Sequence, residues 1–260
     1  MQQSKYRGSG IALGLVSALL PAALWAQTAP SPAATAAAPE RDPEAIAALE
    51  RMGASLRKLT SFTVTGDVTT EEVLDTGQKI QYAGTVEIKA RKPDRLRLIS
   101  NTDRKKRDFF YDGKSLTVFA PSLGYWATVE APPTIREMLT RAKERHDIEL
   151  PLADLFDLGQ DPTLTAKLTS AFKVGVEHIG GLPCEQYAMR QPNVDWQIWI
   201  REGADALPCK MVITSTEDPS MPQYIATMKW NTTAPIADTD FAFKPPESAR
   251  KIVIGSVNPR

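Results

Sequence analysis

The sequence predicts an α+β protein: a broad, curved antiparallel sheet with one helix before it and a helical insert within it. Three observations carry this. Apolar residues recur at helical spacing between Ala45 and Leu59. From Phe62 the period drops to two and persists through short segments separated by turn residues. At Pro132-Pro133 the helical period returns for one stretch, and alternation resumes at Phe172. Because the helical stretch interrupts one meander rather than ending it, the expectation is a single domain over residues 42–260, its helices covering one face of the sheet.

Each element follows from local chemistry. Lys5 and Arg7 precede an apolar run, Ile11 to Leu24, that ends in Pro21-Ala-Ala-Leu-Trp-Ala26. This is the pattern of a Sec-type signal peptide, residues 1–26, cleaved after Ala26. Roughly 14 apolar residues fall short of the roughly 20 that a membrane-spanning helix needs. No Cys lies near the junction, so a lipid anchor there is not expected. Residues 27–41 are mostly Ala, Pro, Ser and Thr, too little apolar surface to offset the entropy of ordering, and they predict a disordered tether.

Asp42-Pro43 supplies an N-cap and a first-turn proline, and Ala45, Leu49, Met52, Leu56 and Leu59 form the apolar face of the first helix. Phe62, Val64, Gly66 and Val68 alternate with Thr63, Thr65, Asp67 and Thr69, and Ile80 to Ala90 alternate likewise over a longer strand. Lys92-Pro93-Asp94 is a turn, Arg95 to Ser100 and Arg107 to Tyr111 are strands, and Asp112-Gly113 closes a hairpin onto Ser115 to Ala120. Tyr125 to Glu130 ends this half. Thr134 and Glu137 form a capping box ahead of Ile135, Met138, Leu139 and Ala142. An apolar connector with Leu150, Leu152, Leu155, Phe156 and Leu158 follows, and a further helix is expected from Asp161-Pro162 with Leu164 and Leu168. Strands return at Lys173–Ile179, Leu182–Arg190, Asp195–Arg201, Leu207–Ser215 and Tyr224–Thr232, with closing or edge segments at Asp238–Phe243 and Lys251–Ile254.

Composition narrows the function classes. Lys+Arg and Asp+Glu each number 31, and the sequence pI is near 6.8, so no electrostatic footprint for nucleic acid exists. Two Cys are too few for a disulfide framework, and neither C-x-x-C nor H-x-x-x-H spacing occurs, which argues against structural zinc. No G-x-S-x-G, P-loop or Rossmann fingerprint follows the leader, and His146 and His178 lie in different elements. The expectation is a protein that is not an enzyme and has no cofactor or metal. In a simple meander Cys184 and Cys209 begin second-neighbour strands roughly 9.5 Å apart, beyond disulfide reach. That predicts two unpaired thiols, unless a bulge or altered strand order brings them together.

The run Lys92-Pro-Asp-Arg-Leu-Arg-Leu98 with Tyr111-Asp-Gly-Lys-Ser-Leu-Thr-Val-Phe-Ala-Pro121 resembles the lipoprotein carrier LolA and its relative LolB. The second half is closer to a family of predicted periplasmic proteins of unknown function in the same superfamily. It is carried by Gly180-Gly-Leu-Pro-Cys184, Asp195-Trp-Gln-Ile-Trp-Ile200, Leu207-Pro-Cys-Lys-Met-Val-Ile213 and Pro222-Gln-Tyr224. The resemblance spans residues 43–254 and implies an unclosed, LolA/LolB-like β-barrel with an N-terminal helix and a helical lid, in the periplasm.

Under that resemblance the inner face is either plain sheet core or an acyl-chain cavity lined by Phe62, Val64, Val86, Ile88, Leu96, Leu98, Trp196, Ile198 and Ile200. Ile135, Met138, Leu139, Leu155 and Phe156 would be the lid's apolar side. Arg104-Lys105-Lys106-Arg107 at a hairpin tip is either a solvated turn or a contact for anionic headgroups or an acidic partner. The functional expectation is a soluble periplasmic protein that binds a lipid, lipoprotein acyl chain or similar apolar ligand. The alternative is a non-catalytic sensor or interaction protein with an envelope protein as partner.

Overall fold

The computed structural model describes residues 41–158 and 163–257. The expected leader, the expected tether up to residue 40, and Asp161-Pro162 lie outside the described residues. Arg41 is the one residue of the expected tether inside them, and it is tied down. It bridges to Ala171 in parallel register, and its guanidinium donates to the Thr165 carbonyl at 2.7 Å, so it belongs with the folded chain.

Helix α1 (Pro43–Lys58) starts as its cap chemistry dictates, the Asp42 carboxylate accepting from the Glu44 N–H at 2.8 Å. Its far end is held by Lys92, whose ammonium donates to the Leu56 carbonyl at 2.6 Å. Burial there lowers the pKa of Lys92. The buried side, Ala45, Ala48, Leu49, Met52 and Leu56, lies against the sheet core.

Twelve strands form one sheet among the described residues: β1 (Ser61–Val73), β2 (Lys79–Arg91), β3 (Arg95–Thr102), β4 (Lys106–Tyr111), β5 (Ser115–Ala120), β6 (Tyr125–Glu130), β7 (Ser170–Ile179), β8 (Leu182–Gln191), β9 (Val194–Arg201), β10 (Pro208–Ser215), β11 (Gln223–Asn231) and β12 (Arg250–Lys251). The order is β12-β6-β5-β4-β3-β2-β1-β11-β10-β9-β8-β7, antiparallel throughout except for the parallel pairing of β12 on β6. Two pairings among the described strands are non-local, β12 on β6 at one edge and β1 on β11 in the middle, and the latter joins two hairpin meanders into one surface. The end strands do not meet, so the barrel stays open, as expected for an unclosed half-barrel. Gly84 lets β2 and β3 approach closely, since a Cβ there would lie 2.6 Å from the Asn101 carbonyl oxygen.

Alternation assigns the faces. Phe62, Val64 and Val68 of β1, Val86, Ile88 and Ala90 of β2, Leu96 and Leu98 of β3, and Trp196, Ile198 and Ile200 of β9 all point to the inner face and join one continuous core. The insert comprises α2 (Ile135–His146), α3 (Asp154–Asp157) and α4 (Thr163–Ala166), and α2 and α3 cover them with Ile135, Met138, Leu139, Ala142, Leu155 and Phe156. Thr134 caps α2 as its sequence predicts, accepting from the Glu137 N–H at 3.3 Å and donating to the Glu137 carboxylate at 2.7 Å.

Two expectations are corrected. Cys184 and Cys209 form a disulfide, with Cα atoms 6.8 Å apart. Two full strand spacings do not apply, because the β10–β9 register shifts between Pro208 and Lys210, which makes Cys209 a bulge residue. Cys184 pairs with Arg201, the last residue of β9, so the bridge passes over the end of the strand between them. Trp199 and Val212 cover it on the outer face. The segment expected as a closing or edge segment from Asp238 pairs with no strand among the described residues and forms a 3-10 turn, Asp238–Phe241. Asp240 ion-pairs with Lys89 at 2.8 Å, Asp238 ion-pairs with Arg91, and Asp240 also accepts from the Ala237 N–H. This curls the chain and buries Phe241, while Phe243 seats among Phe110, Phe119 and Trp126 at centroid distances of 5.2, 5.5 and 5.4 Å.

Candidate functional site

The inner face is longer than its cover. Strands β1 and β2 have 13 residues each, about 43 Å at the usual rise per residue, and the helices cover only one part of that length. Beyond Val68 the face opens into a groove of about 640 Å³. Val68, Phe109, Ile213 and Tyr224 supply its sheet floor, and Leu150 and Leu152 of the connector form the inner wall. The volume falls within the usual range for small-molecule sites. The groove is continuous with the core, because Val68, Phe109, Leu150 and Leu152 belong to both.

The connector is shaped by two left-handed residues, Asp147 (φ 54°) and Leu152 (φ 58°). Asp147 ends α2, its N–H donating to the Lys143 carbonyl at 3.0 Å. A leucine in this conformation costs about 1 kcal/mol. Burial of its side chain to 2% exposure in the core holds it there.

The rim is charged on opposite sides. On the β3–β4 hairpin Arg104 lies over the Tyr82 ring at 4.9 Å, donates to its hydroxyl and ion-pairs with Glu72 at 3.9 Å. Lys105 and Arg107 also line the groove, and neither has a carboxylate partner among the described residues. Glu71 is held by Lys79 at 3.0 Å and accepts from the Gln223 N–H at 2.9 Å. The hydrogen bond from Lys79 lowers its pKa. Glu149 pairs with Lys143 at 2.8 Å.

Asp154, at the start of α3, has no ion-pair partner among the described residues. Asp154 is exposed and lines the groove; the partial desolvation of its carboxyl, then the charge of Asp157, raises its pKa against a smaller opposing pull from Lys143. The Tyr224 hydroxyl is buried with no hydrogen-bond partner among the described residues. Burial, then the Asp154 charge, raises its pKa. An orphaned buried hydroxyl typically costs about 1–3 kcal/mol.

The structure sorts the sequence-predicted residues into two places. Phe62, Val64, Val86, Ile88, Leu96, Leu98, Trp196, Ile198 and Ile200 are all at most 7% exposed in the core under the helices. Ile135, Met138, Leu139, Leu155 and Phe156 press onto the same core, Phe156 meeting the Phe62 ring at 6.0 Å. Of the basic run, Arg104, Lys105 and Arg107 reach the groove, and Lys106 is not among its lining residues. Sequence reasoning missed Phe109, Ile213, Tyr224 and Asp154. The signal for Ile213 and Tyr224 was the alternation of their strands, since Met211 and Ala226 share their face.

Among the described residues no group of three or more His, Cys, Asp or Glu is placed to hold a metal, and no helix is long and apolar enough to cross a membrane. His146 Nδ1 lies 3.1 Å from the Gly255 carbonyl at the end of α2, and His178 is exposed on β7.

Comparison with known proteins places this architecture. The lipoprotein LppX of Mycobacterium tuberculosis aligns with 76% of this chain and 100% of its own, at 14% identity and a TM-score of 0.51. LprF of Mycobacterium bovis covers 82% of this chain and 100% of its own, at 15% identity and a TM-score of 0.46. A LolA superfamily protein of Nitrosomonas europaea covers 76% and 97%, at 12% identity and a TM-score of 0.32. The likeness to LppX is one of fold. No curated protein matches the chain. The profile of a family described as predicted periplasmic protein, DUF2092, matches residues 45–255. Since that match runs from the first turn of α1 to beyond β12, the chain belongs to the DUF2092 family of predicted periplasmic proteins.

Proposed function

We propose that this chain is a non-catalytic periplasmic binding protein that holds a lipid, lipoprotein acyl chain or similar apolar ligand on the inner face of its half-barrel. The observation that carries the reading is the groove of about 640 Å³, whose apolar floor runs without a break into the core beneath the helices. An acyl chain laid on that floor gains about 0.8 kcal/mol for each methylene it buries. The insert serves as the lid. Its connector turns at Asp147 and Leu152, and lifting it would extend the groove toward Phe62, Ile88, Leu98, Trp196 and Ile198. Residues 1–26 act as a cleaved leader, residues 27–40 as a tether, and the rest as one binding unit.

Native mass spectrometry of protein purified from the periplasm of its source, with organic extraction, tests this. The expected result is a co-purified lipid at about one per chain, with slower hydrogen exchange on lipid addition between Ile135 and Ser170. Protein that carries no lipid and also fails to bind an added fluorescent fatty acid overturns the reading.

A further inference from the structure

Resting on the groove as a lipid site, we propose that it selects an amphiphile whose head carries an anion and a primary ammonium in tandem, of the phosphoethanolamine type. The charges decide this. Three of the four acids lining the groove are matched, Glu71 by Lys79, Glu72 by Arg104 and Glu149 by Lys143. Among the described residues, Lys105 and Arg107 on the hairpin wall and Asp154 on the connector wall make no ion pair. A purely anionic head meets Lys105 and Arg107 favourably but leaves Asp154 facing it. A purely cationic head has the converse conflict.

A head with both charges satisfies both walls. Its phosphate accepts from Arg107 and Lys105, and its ammonium donates to the Asp154 carboxylate. The ammonium also supplies a donor for the buried Tyr224 hydroxyl oxygen, which lacks any partner among the described residues. An ammonium has three N–H donors, enough for both acceptors. A quaternary ammonium has none, so the choline analogue is the sharpest negative control. The tail continues over Val68, Phe109 and Ile213.

The test is fluorescence displacement by monomeric amphiphiles of one tail length: lysophosphatidylethanolamine, lysophosphatidylglycerol, lysophosphatidylcholine and an alkylamine. The wild type is expected to bind the ethanolamine lipid about tenfold tighter than the other three. Asp154→Asn should remove that preference, weakening the ethanolamine lipid and tightening lysophosphatidylglycerol once no carboxylate faces it, and Tyr224→Phe should weaken the ethanolamine lipid while leaving lysophosphatidylglycerol bound as before. Lys105→Gln with Arg107→Gln should weaken both the ethanolamine and glycerol lipids and spare the alkylamine. Equal affinity of the wild type for all four overturns the headgroup inference and leaves the apolar site standing. Failure of all four to bind overturns the proposed function as well.

Discussion

One face of the sheet is used in two ways along its length. Under α1 and the insert, Ile88, Ile198 and Val64 are fully buried against helix side chains. Farther along the same face, Val68, Phe109 and Ile213 line a groove with a charged rim. The strands supply the same alternation in both regions, so the difference lies in what covers them. A covered apolar face contributes to stability, whereas an uncovered one is available to a ligand, and the connector from Ile148 to Leu152 is the boundary.

The strongest way to break this comparison is to truncate one side chain in each region. Ile198→Ala should destabilise by about 2–5 kcal/mol, lowering Tm by roughly 2–4 °C for each kcal/mol. Ile213→Ala, half-buried at the groove, should cost about 1 kcal/mol or less and should weaken probe binding instead. Thermal melts beside titrations with a lipophilic fluorophore measure both. Equal loss of stability at the two positions would erase the distinction between core and groove.

Next in size is the disulfide on the outer face. It closes a segment with a sequence separation of 25, so replacing both Cys184 and Cys209 with Ala should cost about 3 kcal/mol. Probe binding should be unchanged, because the bridge lies on the opposite face from the groove. A double variant that melts normally but loses the probe would mean that this staple shapes the site.

The disulfide also shows what a sequence withholds. Strands β5 and β6 were legible to the residue, since Asp112-Gly113 and the alternation after it leave one register. The capping box at Thr134 was equally plain. The Cys184–Cys209 bond was not, because period-two alternation says nothing about a one-residue shift at Pro208. The groove was hidden for a similar reason. Alternation tells which face Val68 and Ile213 share, but the extent of helical cover depends on how the connector folds back at Asp147 and Leu152. The basic run Arg104 to Arg107 was visible, yet its division into one paired and two unpaired groove cations depends on Tyr82 and Glu72, which come from other strands.

A smaller effect should separate lid from scaffold. Thr134→Ala removes the cap of α2 and should cost about 1 kcal/mol. If the insert opens as a unit, the loss should appear as faster hydrogen exchange between Ile135 and His146, with β1 and β2 unchanged. A uniform rise across the sheet would show the insert to be an inseparable part of the core.

The smallest effect concerns two acids on the same groove with opposite signs. The pKa of Glu71 is lowered, chiefly by the hydrogen bond from Lys79, so between its folded and ordinary values the unfolded chain binds more protons. Its contribution to stability is therefore present above the ordinary carboxylate range and lost as pH falls through the lowered value. Asp154 is the reverse. Desolvation raises its pKa, so the folded chain binds more protons, and stability declines as pH rises from the ordinary aspartate range through the raised value. Glu71→Gln should thus lower Tm at pH 7, and Asp154→Asn should raise it, with both differences shrinking toward pH 3. Melting curves of the two variants against wild type across that range measure the signs directly. If Asp154→Asn lowers Tm at pH 7, the carboxylate has a stabilising partner in the folded chain, and the groove's charge balance would have to be redrawn without it.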